Sequence, residues 1–230
     1  MAGPVALVGS GEFLPGMEAL DRRLLVGQPQ RVVHLPTAAG QESGRRIRYW
    51  RDLARKHFEE RLGVEVETVG ILDTNTANDP RNVSMLDGAG LIYLSGGNPG
   101  YLAEALRGTQ ALTRIRDMSS AGTALAGCSA GAAALTALAP DVRSADGSGL
   151  GLGIVPGLAI IPHYDMMRRW RRAMTRRFAD GAPPGVTVVG IDERTAIVTD
   201  DLLTYEVYGV GTAVRVEDGS VYGPGDRFEI

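Results

Sequence analysis

The stretch GTALAGCSAGAAAL, residues 122–135, decides the fold. Small apolar residues run into Gly127-Cys128-Ser129-Ala130-Gly131 and on into alanines, so the pattern predicts a buried strand, a sharp turn and a helix. This is the G-x-S-x-G arrangement, in which a nucleophile stands on a strand-to-helix elbow. Glycines two residues to either side of the serine matter because the two backbones pass too close to leave room for side chains. In that frame Ser129 is the central residue. Cys128, one position earlier, points a different way and reads as a small buried hydrophobe. The Ala130 amide opens the helix, where unpaired N–H groups and the positive end of the dipole favour an oxyanion. A plainer alternative makes the glycines packing residues and Ser129 a helix N-cap.

Working outward, short aliphatic runs closed by glycine or proline recur: PVALVGSG, RVVHLP, VEVETVG, GLIYLSGG, GLAIIPH and VTVVGID. Each reads as a buried strand. Helical patterns lie between several of them, at 43–62, 99–106, 111–121, 130–138 and roughly 165–179. Strand alternating with helix predicts a mostly parallel, doubly wound α/β sheet. The last segments, TAIVTDD, TYEVYGVG, TAVRVEDG and SVYGPGD, are short strands separated by turn residues and predict a C-terminal antiparallel extension. Residues 140–157, rich in glycine and aspartate, are a candidate lid or substrate loop, or a plain surface loop. The chain as a whole, residues 1–230, reads as one domain.

Composition excludes several functions. Lys+Arg of 24 against Asp+Glu of 27 gives a net charge of −3, so no global basic field exists to hold nucleic acid or an anionic membrane. Cys128 is the single cysteine, which rules out an intrachain disulfide or a Cys-His metal cluster, and no cofactor is implied. A reducing, cytoplasmic setting is expected, since the N-terminal residues lack a basic n-region and no run of about 18 apolar residues occurs.

A second glycine turn, Gly96-Gly97-Asn98-Pro99, follows the strand LIYL at an edge where open α/β sheets bind ligands. Gly97 is a candidate second oxyanion donor; Asn98 is a candidate substrate contact or only the N-cap before Pro99. A serine nucleophile needs a base held by a carboxylate. Of the three histidines, His57 sits in a charged helix and reads as solvated or half-buried, while His34 lies inside a strand and reads as a satisfied core residue. His163 follows an apolar strand and a proline, so it emerges at the same edge as Ser129 and is the candidate base. Glu193 again follows a strand and is the candidate acid, with Asp192, Asp141, Asp146 and Asp165 as rivals. Beyond His163, Arg168, Arg169, Arg171, Arg172, Arg176 and Arg177 crowd one helix, where a guanidinium can clamp an acidic substrate group. Two other readings stay open: Cys128 as nucleophile of a glutaminase-type site, and a non-catalytic binding protein on the same scaffold.

SGGN before a helix, GCSAGA at the elbow, GLGIVPGLAIIPHYDMMRRWRR around the histidine, and GIDERTAIV followed by YEVYGVGTAVRVEDG together resemble the dipeptidase E and cyanophycinase group of serine peptidases. The resemblance runs through most of the chain. It implies a class I glutamine amidotransferase-like, flavodoxin-like fold, with Ser129 as nucleophile, His163 as base and Glu193 as third member, as in the cyanophycinase-like branch. The dipeptidase E branch instead carries an aspartate after the elbow helix, and its matching position is close to Ser144, with Asp141 and Asp146 nearby but not aligned. Arg169 and Arg172 fall where cyanophycinases keep arginines, whereas Asp165 departs from the pattern. Both branches read aspartate. The expected activity is therefore hydrolysis of short peptides with an aspartyl preference, with cyanophycin cleavage releasing β-Asp-Arg as the alternative. The resemblance further suggests a homodimer acting on a small peptide.

Overall fold

The computed structural model describes residues 2–140, 148–166, 175 and 178–230. Within them an eight-stranded sheet runs β3-β2-β4-β5-β1-β10-β11-β14. Its strands are β1 (Val5–Val8), β2 (Arg31–Leu35), β3 (Glu65–Thr68), β4 (Leu91–Leu94), β5 (Ala124–Cys128), β10 (Thr195–Thr199), β11 (Thr204–Gly209) and β14 (Arg227–Glu229). From β3 to β1 the pairing is parallel; β10, β11 and β14 continue it antiparallel. The central strands are buried along their whole length, which explains why VALV, LIYL and ALAGC carry no polar alternation.

Helices cover both faces. Leu20 and Leu24 of α1 (Glu18–Leu24) and Ala54 of α2 (Gly44–Arg55) pack with Ala6, Val8 and Tyr93. On the other face α4 (Pro99–Leu106), α5 (Gln110–Ser120) and α6 (Ala130–Leu135) bring Leu102, Ile115 and Leu135 against Leu7, Ile92 and Leu94. The short α3 (Pro80–Ser84) starts on an Asp79 N-cap with Pro80 in its first turn.

GLAIIPH and VTVVGID do not join the main sheet. They form β8 (Leu158–Ile161) and β9 (Thr187–Ile191), a parallel pair in a four-stranded sheet of order β13-β12-β9-β8. The C-terminal antiparallel strands therefore divide: β10, β11 and β14 extend the main sheet, while β12 (Ala213–Arg215) and β13 (Val221–Tyr222) pair onto β9. A separate core of Leu138, Ala159, Ile161, Tyr164, Val188 and Val214 sustains the smaller sheet. A hairpin of β6 (Leu138–Pro140) and β7 (Ser148–Leu150) spans the expected loop, whose residues 141–147 lie outside the described ones.

His57 also departs from expectation. After Arg55 the helix widens into a π-helical segment, Lys56–Leu62, that turns His57 fully into the core, 2.7 Å from Asp21 Oδ2 of α1. His34 is buried as expected, bonded to Thr68 and Ser95, and burial pushes its pKa down to about 3.

The elbow glycines are steric requirements. A β-carbon on Gly131 would lie 2.1 Å from the Leu94 carbonyl oxygen, and one on Gly127 2.5 Å from the Gly131 carbonyl carbon. Both neighbours are backbone and cannot swing aside. Gly131→Ala is expected to destabilise by about 2–3 kcal/mol through overpacking. Calorimetry reads this as a Tm lowered by roughly 5–10 °C; an unchanged Tm would show that the elbow relaxes freely.

Candidate active site

Parallel strands deliver the chain to one edge, and the residues after β1, β4, β5, β8 and β9 meet there. Register makes this local: Val8 pairs with Cys128, and Leu94 with Gly127, so the ends of β1, β5 and β4 lie side by side. Ser129, directly after β5, has φ +50° and ψ −108°, a conformation rarely adopted by a residue with a side chain. Its N–H donates to the Val8 carbonyl at 2.8 Å and its own carbonyl accepts from Ala133 at 3.0 Å, so strand and helix together impose the strain.

The side chains of Ser129, His163 and Glu193 form a continuous chain. Ser129 Oγ lies 2.9 Å from His163 Nε2, and His163 Nδ1 lies 2.9 Å from Glu193 Oε1. A carboxylate only accepts, so Nδ1 carries the ring hydrogen and Nε2 is left to accept from the Ser129 hydroxyl. His163, φ +52°, turns off the end of β8, and the next residue, Tyr164, lays its ring over Gly190 of β9, where no β-carbon would fit. The Glu193 N–H donates to Asp165 Oδ1 at 3.2 Å. Both His163 and Glu193 are about 40% exposed at the side chain, so water reaches this end of the chain.

The rival acids are engaged elsewhere or lie outside the described residues. Asp192 Oδ2 accepts from the Thr212 amide and hydroxyl at 2.9 and 2.7 Å. Asp165 holds the Glu193 backbone. Asp141, Asp146, Arg169 and Arg172 fall outside the described residues. Asn98 caps α4, its Oδ1 accepting from Tyr101 N–H at 3.0 Å, and is not among the residues lining the cleft. The amides of Gly97 and Ala130 have no acceptor among the described residues.

The serine opens into a cleft of about 420 Å³. Sequence reading missed part of its wall: Glu12 behind the serine, and Arg46, Tyr49, Trp50 and Arg194 around the mouth. Arg46, Tyr49 and Trp50 stand at i, i+3 and i+4 of α2 and share one helix face, with the Arg46 guanidinium 4.9 and 5.1 Å from the two ring centroids. That spacing was legible, but nothing in it said which way the face turned. Glu12 follows a parallel strand, the same cue that singled out Glu193.

Cys128 is fully buried, its Sγ 2.8 Å from Glu12 Oε2. Burial, reinforced by the Glu12 charge, pushes its thiol pKa well up, so the sulfur stays protonated at neutral pH.

The family model for Peptidase family S51 matches residues 6–204. The chain belongs to this family. S51 membership makes it a serine peptidase with a peptide substrate. Its fold matches the crystal structure of a peptidase from an acI-B1 Actinobacterium with a TM-score of 0.91 and 32% identity, over 100% of this chain and 98% of that one. A Listeria monocytogenes EGD-e protein, provisionally named a peptidase E, shares the fold at a TM-score of 0.63 and 19% identity, over 94% of this chain and 99% of that one. No curated protein matches. No described helix of this S51 chain is long and apolar enough to cross a membrane, and no group of three or more His, Cys, Asp or Glu among the described residues is placed to hold a metal.

Proposed function

We propose that this S51 peptidase hydrolyses short peptides with an aspartyl preference through Ser129, His163 and Glu193. The observation that carries the reading is the pair of 2.9 Å contacts linking the three side chains at a strained serine. His163 takes the Ser129 proton as Oγ attacks the scissile carbonyl. The tetrahedral oxyanion is received by the unengaged amides of Ala130 and Gly97. His163 then gives its proton to the leaving amine, and water repeats both steps on the acyl-enzyme. Glu193 keeps the hydrogen on Nδ1 and offsets the imidazolium charge.

Support for an acidic substrate comes from the mouth of the cleft, where Arg46 and Arg194 supply positive charge. Arg46 rests against its aromatic neighbours with Glu42 3.3 Å from its Nε, so a substrate carboxylate would meet its remaining N–H groups. The test is release of p-nitroaniline from aspartyl-p-nitroanilide against the leucyl and arginyl analogues, with Ser129→Ala as blank. Preferential turnover of the aspartyl substrate is expected. Arg46→Ala is expected to raise KM for it roughly tenfold to a hundredfold, the worth of one charge-assisted hydrogen bond, while leaving leucyl turnover near its starting level. Faster leucyl than aspartyl turnover would remove the acidic preference, and activity confined to β-aspartyl-arginine polymers would move the reading to the cyanophycin alternative.

A further inference from the structure

We infer that Glu12 is a positioning residue whose carboxylate clamps the Ser129 elbow to the Gly96-Gly97 turn and so fixes the Gly97 amide opposite the nucleophile. The inference rests on Ser129 as nucleophile and on the Gly97 amide as oxyanion donor.

Glu12 leaves the end of β1 and is only 6% exposed. Oε2 accepts from the Cys128 thiol at 2.8 Å, immediately before the serine, and Oε1 accepts from the Gly96 N–H at 2.9 Å, immediately before Gly97. One carboxylate thus joins the residues that precede each of the two proposed reacting groups. The spacing is tight: a β-carbon on Gly96 would sit 3.3 Å from Glu12 Oε1 and 3.5 Å from Ser129 Cβ, so Gly96 fills the gap between carboxylate and serine. Glu12 is anchored from behind by Phe13, whose ring lies 5.0 Å from Tyr93, 5.5 Å from His34 and 5.7 Å from Phe58 in the core. Among the described residues no arginine, lysine or histidine pairs with Glu12, and its partners there are the thiol and the amide. The cysteine of the elbow therefore acts as a donor to Glu12, small enough for a fully buried site.

The rate of Ser129 phosphonylation by a fluorophosphonate, followed by intact mass, tests this without depending on the substrate. The probe has no ammonium group and reports on the nucleophile with its base and on the oxyanion amides, not on recognition of a substrate amino terminus. Glu12→Gln keeps one acceptor oxygen but turns an NH2 group toward a second donor. It is expected to slow labelling roughly tenfold, and Glu12→Ala roughly a hundredfold, a share of what loss of a whole oxyanion donor costs. On a turned-over peptide substrate the same loss is expected in kcat, with KM within about twofold. Cys128→Ala is expected to slow labelling about threefold, and Cys128→Ser, which restores a donor, to recover most of that. The cysteine pair carries the test if Glu12→Ala fails to fold. Unchanged labelling in Glu12→Gln and Cys128→Ala, with Ser129→Ala unlabelled, overturns the inference and leaves the serine in place. A rise in KM only for substrates with a free α-ammonium, with labelling unchanged, also overturns it, because Glu12 would then hold the substrate's amino terminus. Labelling that persists in Ser129→Ala sinks the serine reading itself.

Discussion

Ser129→Ala is expected to lower kcat by roughly four to six orders of magnitude while the protein keeps its fold, as removal of the nucleophile does in other serine peptidases. The magnitude follows because no second nucleophile is available at the elbow. Cys128 is the only chemical candidate, and three observations exclude it. It is fully buried, its sulfur faces Glu12 rather than His163, and burial and that carboxylate hold it as the thiol. Treatment of the folded enzyme with iodoacetamide should therefore leave turnover intact. Among the described residues the Ser129 side chain bonds only to His163, whereas its backbone makes the contacts to Val8 and Ala133, so removing the hydroxyl leaves the elbow standing. Melting temperature measured beside kcat separates the two effects. Substantial activity in Ser129→Ala, or inactivation by the thiol reagent, would falsify the serine mechanism.

The elbow was legible because its demands are local. Gly127 and Gly131 are needed wherever a strand turns at once into a helix that packs back on it, and the alanine run has one good use. Pro99 marked a helix start for the same local reason. His163 and Glu193 were reached by a rule of position: residues just past an apolar strand face the ligand edge. That rule works without knowing which sheet a strand joins, and the second sheet was accordingly missed. LAII and TVVGI are buried along nearly their whole length, as the main-sheet strands are, so their composition is the same. Pairing is decided by β12, which returns from beyond residue 212 to lie against β9. His57 was misread because its partner, Asp21, lies 36 residues away and on a helix too short to announce itself by periodicity. A π-helical widening leaves no compositional mark at all. Glu12 met the same rule of position as Glu193. It drew no notice because a carboxylate beside a thiol suggests no chemistry until the carboxylate is seen to bridge that thiol and the Gly96 amide.

Glu193→Ala is expected to lower kcat roughly a hundredfold to a thousandfold, less than the approximately ten-thousandfold effect of disabling the acid in a buried triad. The discount is structural. His163 and Glu193 are 39% and 41% exposed at the side chain, so water can take the Nδ1 hydrogen bond and screen the imidazolium once the carboxylate is gone. Glu193→Gln is expected to fall in the same range, since an amide oxygen can still accept from Nδ1 but carries no charge to balance the ring. The decisive comparison is with the neighbouring acid. Asp192 turns to Thr212, which it holds through two hydrogen bonds, so Asp192→Asn is expected to lower Tm by a few degrees and leave kcat within about threefold. Among the described residues Asp165 reaches the site through the Glu193 amide, at 3.2 Å, and Asp165→Asn is expected to cost severalfold in kcat by loosening the turn that carries the acid. Equal losses in Glu193→Ala and Asp192→Asn would mean that the turn after β9 rearranges in the working enzyme. A large loss in Asp165→Asn with little in Glu193→Ala would transfer the acid's role to Asp165. The expected ordering, Glu193 well above Asp165 and Asp165 above Asp192, follows from which carboxylate touches the imidazole, which touches the backbone behind it, and which is engaged with Thr212 instead.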